Sequence, residues 1–496
     1  VDQLAVHGVQ RDGFHHFTVV DDGIRHQRPV CLRRADSEIT LRGKRKGSVM
    51  RKWGPLAAIC LGSFMLILDT TVVTVALPEM ARGLGASLAS LQWVVNSYTL
   101  VLAILALSAG AIGDIVGQRR VFVGSVALFA VASLGCALSP NVGVLIGARA
   151  VQGIGGAAMM VAAMSLLGAN YAGKERGAAF GTWTAVLGGA GAAGPFLGGV
   201  LTQWAGWQAI FFLNLPLSVL TLLLTRKYLA EAPKRPAGTR IDFGGMLAFG
   251  VGSGAVIYAL IQHAWPVFAL AAVALTGFVV VERRVKHPML DLALFRRASF
   301  VTVLVVVVAS SFVFACLVYV SIWLQTAVHL SPTEAGLALI PLAATSFLAS
   351  ILIGKRLHAV SPGIVLGLGA LLAAAGCGLE WMLLDRDSTW LSLLPGLIVT
   401  GAGMGIAGPA GSTAILSAVP GDRAGMASGA MATFRQLGQT LGVAVLGLVY
   451  AADLGDVFLV TAGLSLVAAV LSCLVLPRNN AGAPSRTRGS SVAAGR

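Results

Sequence analysis

Asp69 stands inside the run FMLILDTTVVTVALP, Phe64 to Pro78, where every neighbour but the hydroxylated threonines is apolar. Arg149 stands in a second such run, LIGARAVQGIGGAAMM, Leu145 to Met160, with Gln152 one helical turn further on. In apolar surroundings a carboxylate or a guanidinium is costly unless it is paired, hydrated or, for the acid, protonated. Desolvation favours the neutral acid and a nearby Arg⁺ favours the carboxylate, so moving the arginine relative to Asp69 switches proton binding. That is the chemistry of a site that takes up H⁺ on one side of a barrier and releases it on the other. The alternative for Asp69 is a structural role, bonded to the hydroxyls of Thr70 or Thr74. Two further ionisable residues lie in apolar runs: Arg435 in FRQLGQTLGVAVLG and Glu380 in GCGLEWML. Arg435 is expected to face a cavity or a neighbouring backbone carbonyl. Glu380 is either a cavity charge or a side chain that simply reaches the interface.

The surroundings of these residues follow from composition. The chain has 496 residues, 56% hydrophobic and 11% charged; a soluble domain carries roughly 25% charged residues. Apolar runs of about 20 residues, enough to cross a hydrocarbon core of about 30 Å, recur from end to end. The expected fold is an all-α polytopic membrane protein of about fourteen transmembrane helices. Six spans, two plain spans between basic loops, and six more spans divide it into a six-helix half at 50–225, an inserted two-helix linker at 226–298 and a second six-helix half at 299–476. Duplicated halves around a midplane site are a common construction of secondary transporters.

Charge along the chain sets the topology. The formal net charge is +15, and the Lys and Arg between spans fall on alternate loops, with only Arg82 and Arg386 on the other side. By the positive-inside rule the basic loops and both termini are cytoplasmic, in a bacterial cell membrane. The basic balance thus records topology, and no nucleic-acid partner is expected. Depth can then be estimated. Asp69 lies about 15 residues into the first span, roughly 22 Å from the basic side, and Arg149 roughly 10 Å from the opposite side. In a core of about 30 Å the two can meet or share one water-filled cavity.

The ends of the chain differ from its middle. Residues 1–49 are polar and hold four of the eight histidines; Met50, followed by Arg51 and Lys52, is the expected start of the functional protein. Residues 477–496 form a cytoplasmic tail. The six cysteines are far apart and lack metal-ligand spacing, so no disulfide frame or metal site is expected. No Walker-type GxxxxGK[ST] is present, so an ATP-driven pump would need its ATPase on another chain, and no cofactor is expected.

Two glycine-rich stretches bear on movement. In GAIGDIVGQRR, Gly110 and Gly113 allow close helix approach and Gly117 a tight turn. Asp114, Arg119 and Arg120 are placed to latch one conformation at the membrane edge, against one another or against a helix end; the alternative is an ordinary tight basic loop. In AVLGGAGAAGPFLGGVL, Gly188, Gly191, Gly194, Gly198 and Gly199 remove side chains that would separate helices, and Pro195 bends the helix. A kinked, glycine-lined helix suits a seam that opens and closes; the alternative is plain small-residue packing.

These stretches, in this order, resemble motifs of the major facilitator superfamily, the last of them its antiporter motif. LDTTVVTVALP, WQAIFFLNLP (Trp207 to Pro216) and FRQLGQTLGVAVLG resemble the fourteen-helix drug:proton antiporter branch. The family's loop motif usually has basic residues where Ile115 and Gln118 stand. The resemblance implies proton-coupled export of lipophilic drugs or antibiotics, with a small lipophilic molecule, protons and the bilayer as partners. Export of an endogenous metabolite or siderophore is the nearest alternative, followed by nutrient import, and a membrane-embedded enzyme is the reading from a different class. Substrate identity and oligomeric state are not legible in the sequence.

Overall fold

The apolar runs become helices, and at several ends polar side chains supply the caps. The computed structural model describes residues 7–11, 14–18, 34–171, 173–229, 242–285, 290–356, 361–385, 388–419, 424–451 and 453–476. Within these lie α1 (Arg34–Leu84), α2 (Leu88–Val116), α3 (Gln118–Ala137), α4 (Val142–Asn170), α5 (Gly173–Ala205), α6 (Ala209–Phe212), α7 (Asn214–Tyr228), α8 (Phe243–Ile261) and α9 (Val267–Arg284). The rest are α10 (Ala298–Thr326), α11 (Pro332–Arg356), α12 (Pro362–Leu383), α13 (Trp390–Ser417), α14 (Ala424–Tyr450) and α15 (Leu454–Val475). Ser87, Asn141 and Asp242 cap α2, α4 and α8 by accepting from backbone N–H groups three residues on, as N-caps do. Gly117 joins α2 to α3 at φ +110°, a conformation that favours glycine.

The chain divides into two units, Val1–Trp53 and Gly54–Arg496. In the first, β1 (His7–Arg11) pairs antiparallel with β2 (Phe14–Thr18), His7 opposite Thr18 and Arg11 opposite Phe14. The all-α expectation includes no strands there.

Twelve helices among the described residues are long and apolar enough to cross a membrane. The sequence predicts about fourteen spans, and the two that fall short are α9 and α14. Glu282, Arg283 and Arg284 charge the last turn of α9. α14 carries Arg435, Gln436, Gln439 and Thr440, and it packs along α2, α10 and α8. A helix so covered by protein has less need of an apolar surface than one facing lipid. α8 and α9 lie along each other, and α8 also touches α2 and α14.

Packing divides the large unit by depth. One end carries the short turns at 85–87, 138–141 and 327–331 and is poor in Lys and Arg; the other carries the Lys- and Arg-rich connections. Near the Lys- and Arg-poor end a single apolar cluster joins both halves, with Leu77, Val94 and Phe211 from the first half and Phe312, Leu339 and Val443 from the second. Toward the basic end there are two clusters. One draws on residues 56–229, centred on Phe122 and Phe129; the other draws on 249–476 among its buried members, centred on Phe300 and Leu366. Residues 56–229 and 249–476 share a core at one end and supply the buried members of two clusters at the other, where Ile104 of α2 packs against the second.

The contacts that join the halves have the same polarity. Gln325 Nε2 donates to Val75 O at 2.9 Å, and Gln92 Nε2 donates to Tyr319 Oη at 3.0 Å and to Val443 O at 3.3 Å. Tyr319 Oη also donates to Val443 O. Nearer the middle, Thr440 Oγ1 bonds to Thr99 Oγ1 at 2.9 Å and Thr433 Oγ1 donates to Ala103 O at 3.2 Å.

Candidate functional site

Asp69 and Arg149 meet. Arg149 Nη1 lies 2.5 Å from Asp69 Oδ2, and the two residues are 1% and 3% exposed respectively. The other carboxylate oxygen, Oδ1, accepts from Gln152 Nε2 at 3.0 Å and from Asn214 Nδ2 at 2.8 Å. Ser133 Oγ accepts from the same two amides at 2.9 and 3.2 Å. The guanidinium is held from other directions too. Its Nη1 donates to Gln152 Oε1 at 2.6 Å, its Nε donates to Val94 O at 3.3 Å, and its Cζ sits 4.2 Å from the centroid of the Tyr98 ring. Four helices of the first half, α1, α3, α4 and α7, supply the polar groups, and α2 supplies the backbone and ring that steady the arginine.

Three donors aimed at one carboxylate match its ionised form, and the pair carries no net charge into the apolar core. Thr70 and Thr74 have other tasks: their hydroxyls donate to Leu66 O and Thr71 O of their own helix. The geometry therefore gives Asp69 an ion pair across helices in place of the local hydroxyl bonds considered from the sequence. Ser133 and Asn214 were missed as partners. Each is a polar residue in an otherwise apolar run, which is the available signal, but neither run says which residue it faces.

The glycine helix α5 faces two ways. A Cβ at Gly194 would overlap Thr71 Oγ1, and one at Gly198 would lie 2.8 Å from Val72 O, so these positions seat α5 on α1. Gly199 abuts Pro332 O, Gly188 lies against Phe347, and Gly336 abuts Pro195 O, so these seat α5 on α11 of the other half. Gly191 meets only Ile67 at 3.9 Å. Pro195 lies within α5, as the sequence predicts.

In the loop motif, Gly113 packs against the side chain of Gln118, one of the positions where the family pattern is usually basic. Arg119 Nη2 donates to Arg226 O at the end of α7, at 3.3 Å; a cation beside the last carbonyls of a helix is favourably placed. Arg120 is exposed. The surroundings of Gly110 and the side chain of Asp114 lie outside the described residues.

Arg435 and Glu380 separate from each other and from the Asp69 pair. Arg435, on α14, is exposed. Glu380 is 2% exposed, so it does not reach the interface.

The chain matches the family model described as Major Facilitator Superfamily over residues 59–291 and 302–494. It is 38% identical over 408 residues to the multidrug resistance protein Stp of Mycobacterium tuberculosis, covering 80% of this chain and 75% of that one. It is 34% identical to the tetracenomycin C resistance and export protein of Streptomyces glaucescens, over 82% and 78% of the two chains. It is 32% identical to the methylenomycin A resistance protein of Bacillus subtilis, over 87% and 96%. Among solved structures, the human organic anion transporter MFSD10 (TETRAN) superposes with a TM-score of 0.63 at 17% identity, over 85% of this chain and 99% of that one. A POT family transporter gives a TM-score of 0.65 at 13% identity, over 84% and 94%.

Proposed function

Because this chain belongs to the Major Facilitator Superfamily, we propose that it is a proton-driven antiporter exporting lipophilic drugs or antibiotics across a bacterial cytoplasmic membrane. The observation that carries the proposal is the buried Asp69–Arg149 pair, which joins two membrane-spanning helices. Relatives named for multidrug resistance, drug efflux and the export of tetracenomycin C support the direction of transport and the class of cargo. Transport, with no chemical conversion of cargo, is the activity of the family, and the enzyme reading drops out.

In this account the basic loops and both termini are cytoplasmic. In this reading the shared apolar cluster and the Gln92 and Gln325 bonds lie at the outer end, and the conformation described above is the cytoplasm-facing one. Cargo enters between the halves from the cytoplasm, where the exposed Arg435 is available to meet it. Reorientation breaks the outer contacts and brings the inner ends together, with the glycine seams of α5 letting that helix slide on α1 and α11. A proton arriving from outside neutralises Asp69 and frees Arg149. Its release inside restores the pair, so one proton gradient drives the cycle without a cofactor. The basic surface serves topology and not nucleic acid.

The test is a panel of lipophilic antibiotics on a strain lacking its own efflux systems. Expression should raise resistance to part of the panel, and a protonophore should abolish the accompanying efflux of ethidium or of whichever panel compound is exported. Efflux that persists when the proton gradient is collapsed would overturn the coupling.

A further inference from the structure

The first half gathers its buried polar groups from its first, third, fourth and sixth spans: Asp69 of α1, Ser133 of α3, Arg149 and Gln152 of α4, and Asn214 of α7. Counted the same way, the second half offers α10, α12, α13 and α15. These same four helices, with Leu342 of α11, enclose Glu380. The carboxyl projects from α12 into a cavity of about 10 Å³ lined by Cys316 of α10, Cys377 of α12, Thr400 of α13 and Phe458 of α15. That volume is at the lower limit for one water molecule.

The site is built to admit the side chain. A Cβ at Gly396 of α13 would overlap Glu380 Cγ, and one at Gly376 of α12 would overlap Thr400 Oγ1. Glycine at these two positions opens the α12–α13 seam for the carboxyl and the hydroxyl. Cys377 Sγ lies 3.9 Å from Thr400 Oγ1.

What differs from the first half is the charge. No Lys, Arg or His lines the cavity, and the other titratable groups facing Glu380 are Cys316 and Cys377. Glu380 Oε1 is buried without a hydrogen-bond partner. An ionised carboxylate here would lack any counter-charge, whereas the acid carries none and supplies its own donor. The way out is short. Glu380 is three residues from the end of α12, about one helical turn. Beyond that end a cavity of about 260 Å³ is lined by Trp323, Asp385 and Asp453, and both aspartates are exposed. Two exposed carboxylates lining one cavity raise the local concentration of protons and other cations.

We infer that Glu380 is a second proton-binding carboxyl, the second half's counterpart of Asp69, loaded from the Asp385–Asp453 vestibule. In the conformation described, the first half's carboxyl faces a guanidinium and the second half's faces none among the described residues. The inference stands on burial and geometry; only its consequence, a second proton in the transport cycle, rests on the antiport reading.

The test is infrared difference spectroscopy of the purified full chain in lipid, titrated with pH. The wild type should show the C=O band of a buried carboxylic acid that fades as pH rises, together with a shift of the Cys377 S–H stretch. The band should vanish in Glu380→Gln, return at a shifted position in Glu380→Asp, and survive in Asp69→Asn. Monodispersity on size exclusion establishes that each variant is folded. A band unchanged in Glu380→Gln, or one that never titrates while the protein stays folded, would overturn the inference. The titration reads no transport, so an intact band beside absent efflux would count against the antiport proposal and not against this one.

Discussion

Arg149 reaches Asp69 at 2.5 Å from 80 positions along the chain, and stacks its guanidinium on Tyr98 while doing so. A lysine has one ammonium in place of a planar fork and cannot reproduce both Nη1 contacts, the Nε bond to Val94 O and the stacking. Arg149→Lys is therefore expected to cut proton-driven export severely while leaving the protein in the membrane. Arg149→Met leaves the carboxylate without its counter-ion, a loss of about 3–5 kcal/mol for a buried pair. It should abolish export and lower the unfolding temperature in detergent. A Met variant as stable and active as the wild type would mean that the pair is dispensable.

At the glycine helix the expectation is position-specific. Gly194→Leu would drive a side chain into Thr71, whereas an added Cβ at Gly189 meets nothing within 4 Å. Export should be lost in Gly194→Leu at normal membrane abundance, and Gly189→Ala should transport normally. Equal behaviour of the two variants would reduce the motif to general small-residue packing.

The sequence made the class of fold legible because membrane spans announce themselves by length and composition, and the ion pair because its depths matched from opposite faces. It did not disclose that Ser133 and Asn214 complete the site, since the facing of a helix depends on packing that no single span encodes. α14 shows the converse difficulty. Shielded by α2, α8 and α10, it keeps polar residues that make it look unlike a span. Glu380 was ambiguous for a related reason: position near a helix end favours the interface, and only the glycines of α12 and α13 reveal the pocket that buries it.

Gln92, Tyr319 and Val443 form the hydrogen-bonded bridge between the halves at the Lys- and Arg-poor end. A bond of this kind contributes about 1 kcal/mol, enough to change a two-state ratio by roughly fivefold. Gln92→Ala or Tyr319→Phe should depopulate the cytoplasm-facing state. In a cysteine-free background carrying Arg435→Cys, an impermeant maleimide should label inside-out vesicles and not right-side-out ones. Either bridge variant should slow that labelling several-fold. Labelling unaffected by both variants would place the closure elsewhere.

The central claim is that Asp69 carries the coupling proton, and Asp69→Asn addresses it most directly. Asparagine keeps the size and most of the hydrogen bonding but cannot ionise. In inside-out vesicles with an imposed proton gradient, the wild type should accumulate its exported compound and the variant should not, at equal protein abundance. Asp69→Glu should retain part of the activity. Uphill accumulation by Asp69→Asn with the wild-type pH dependence would contradict the account.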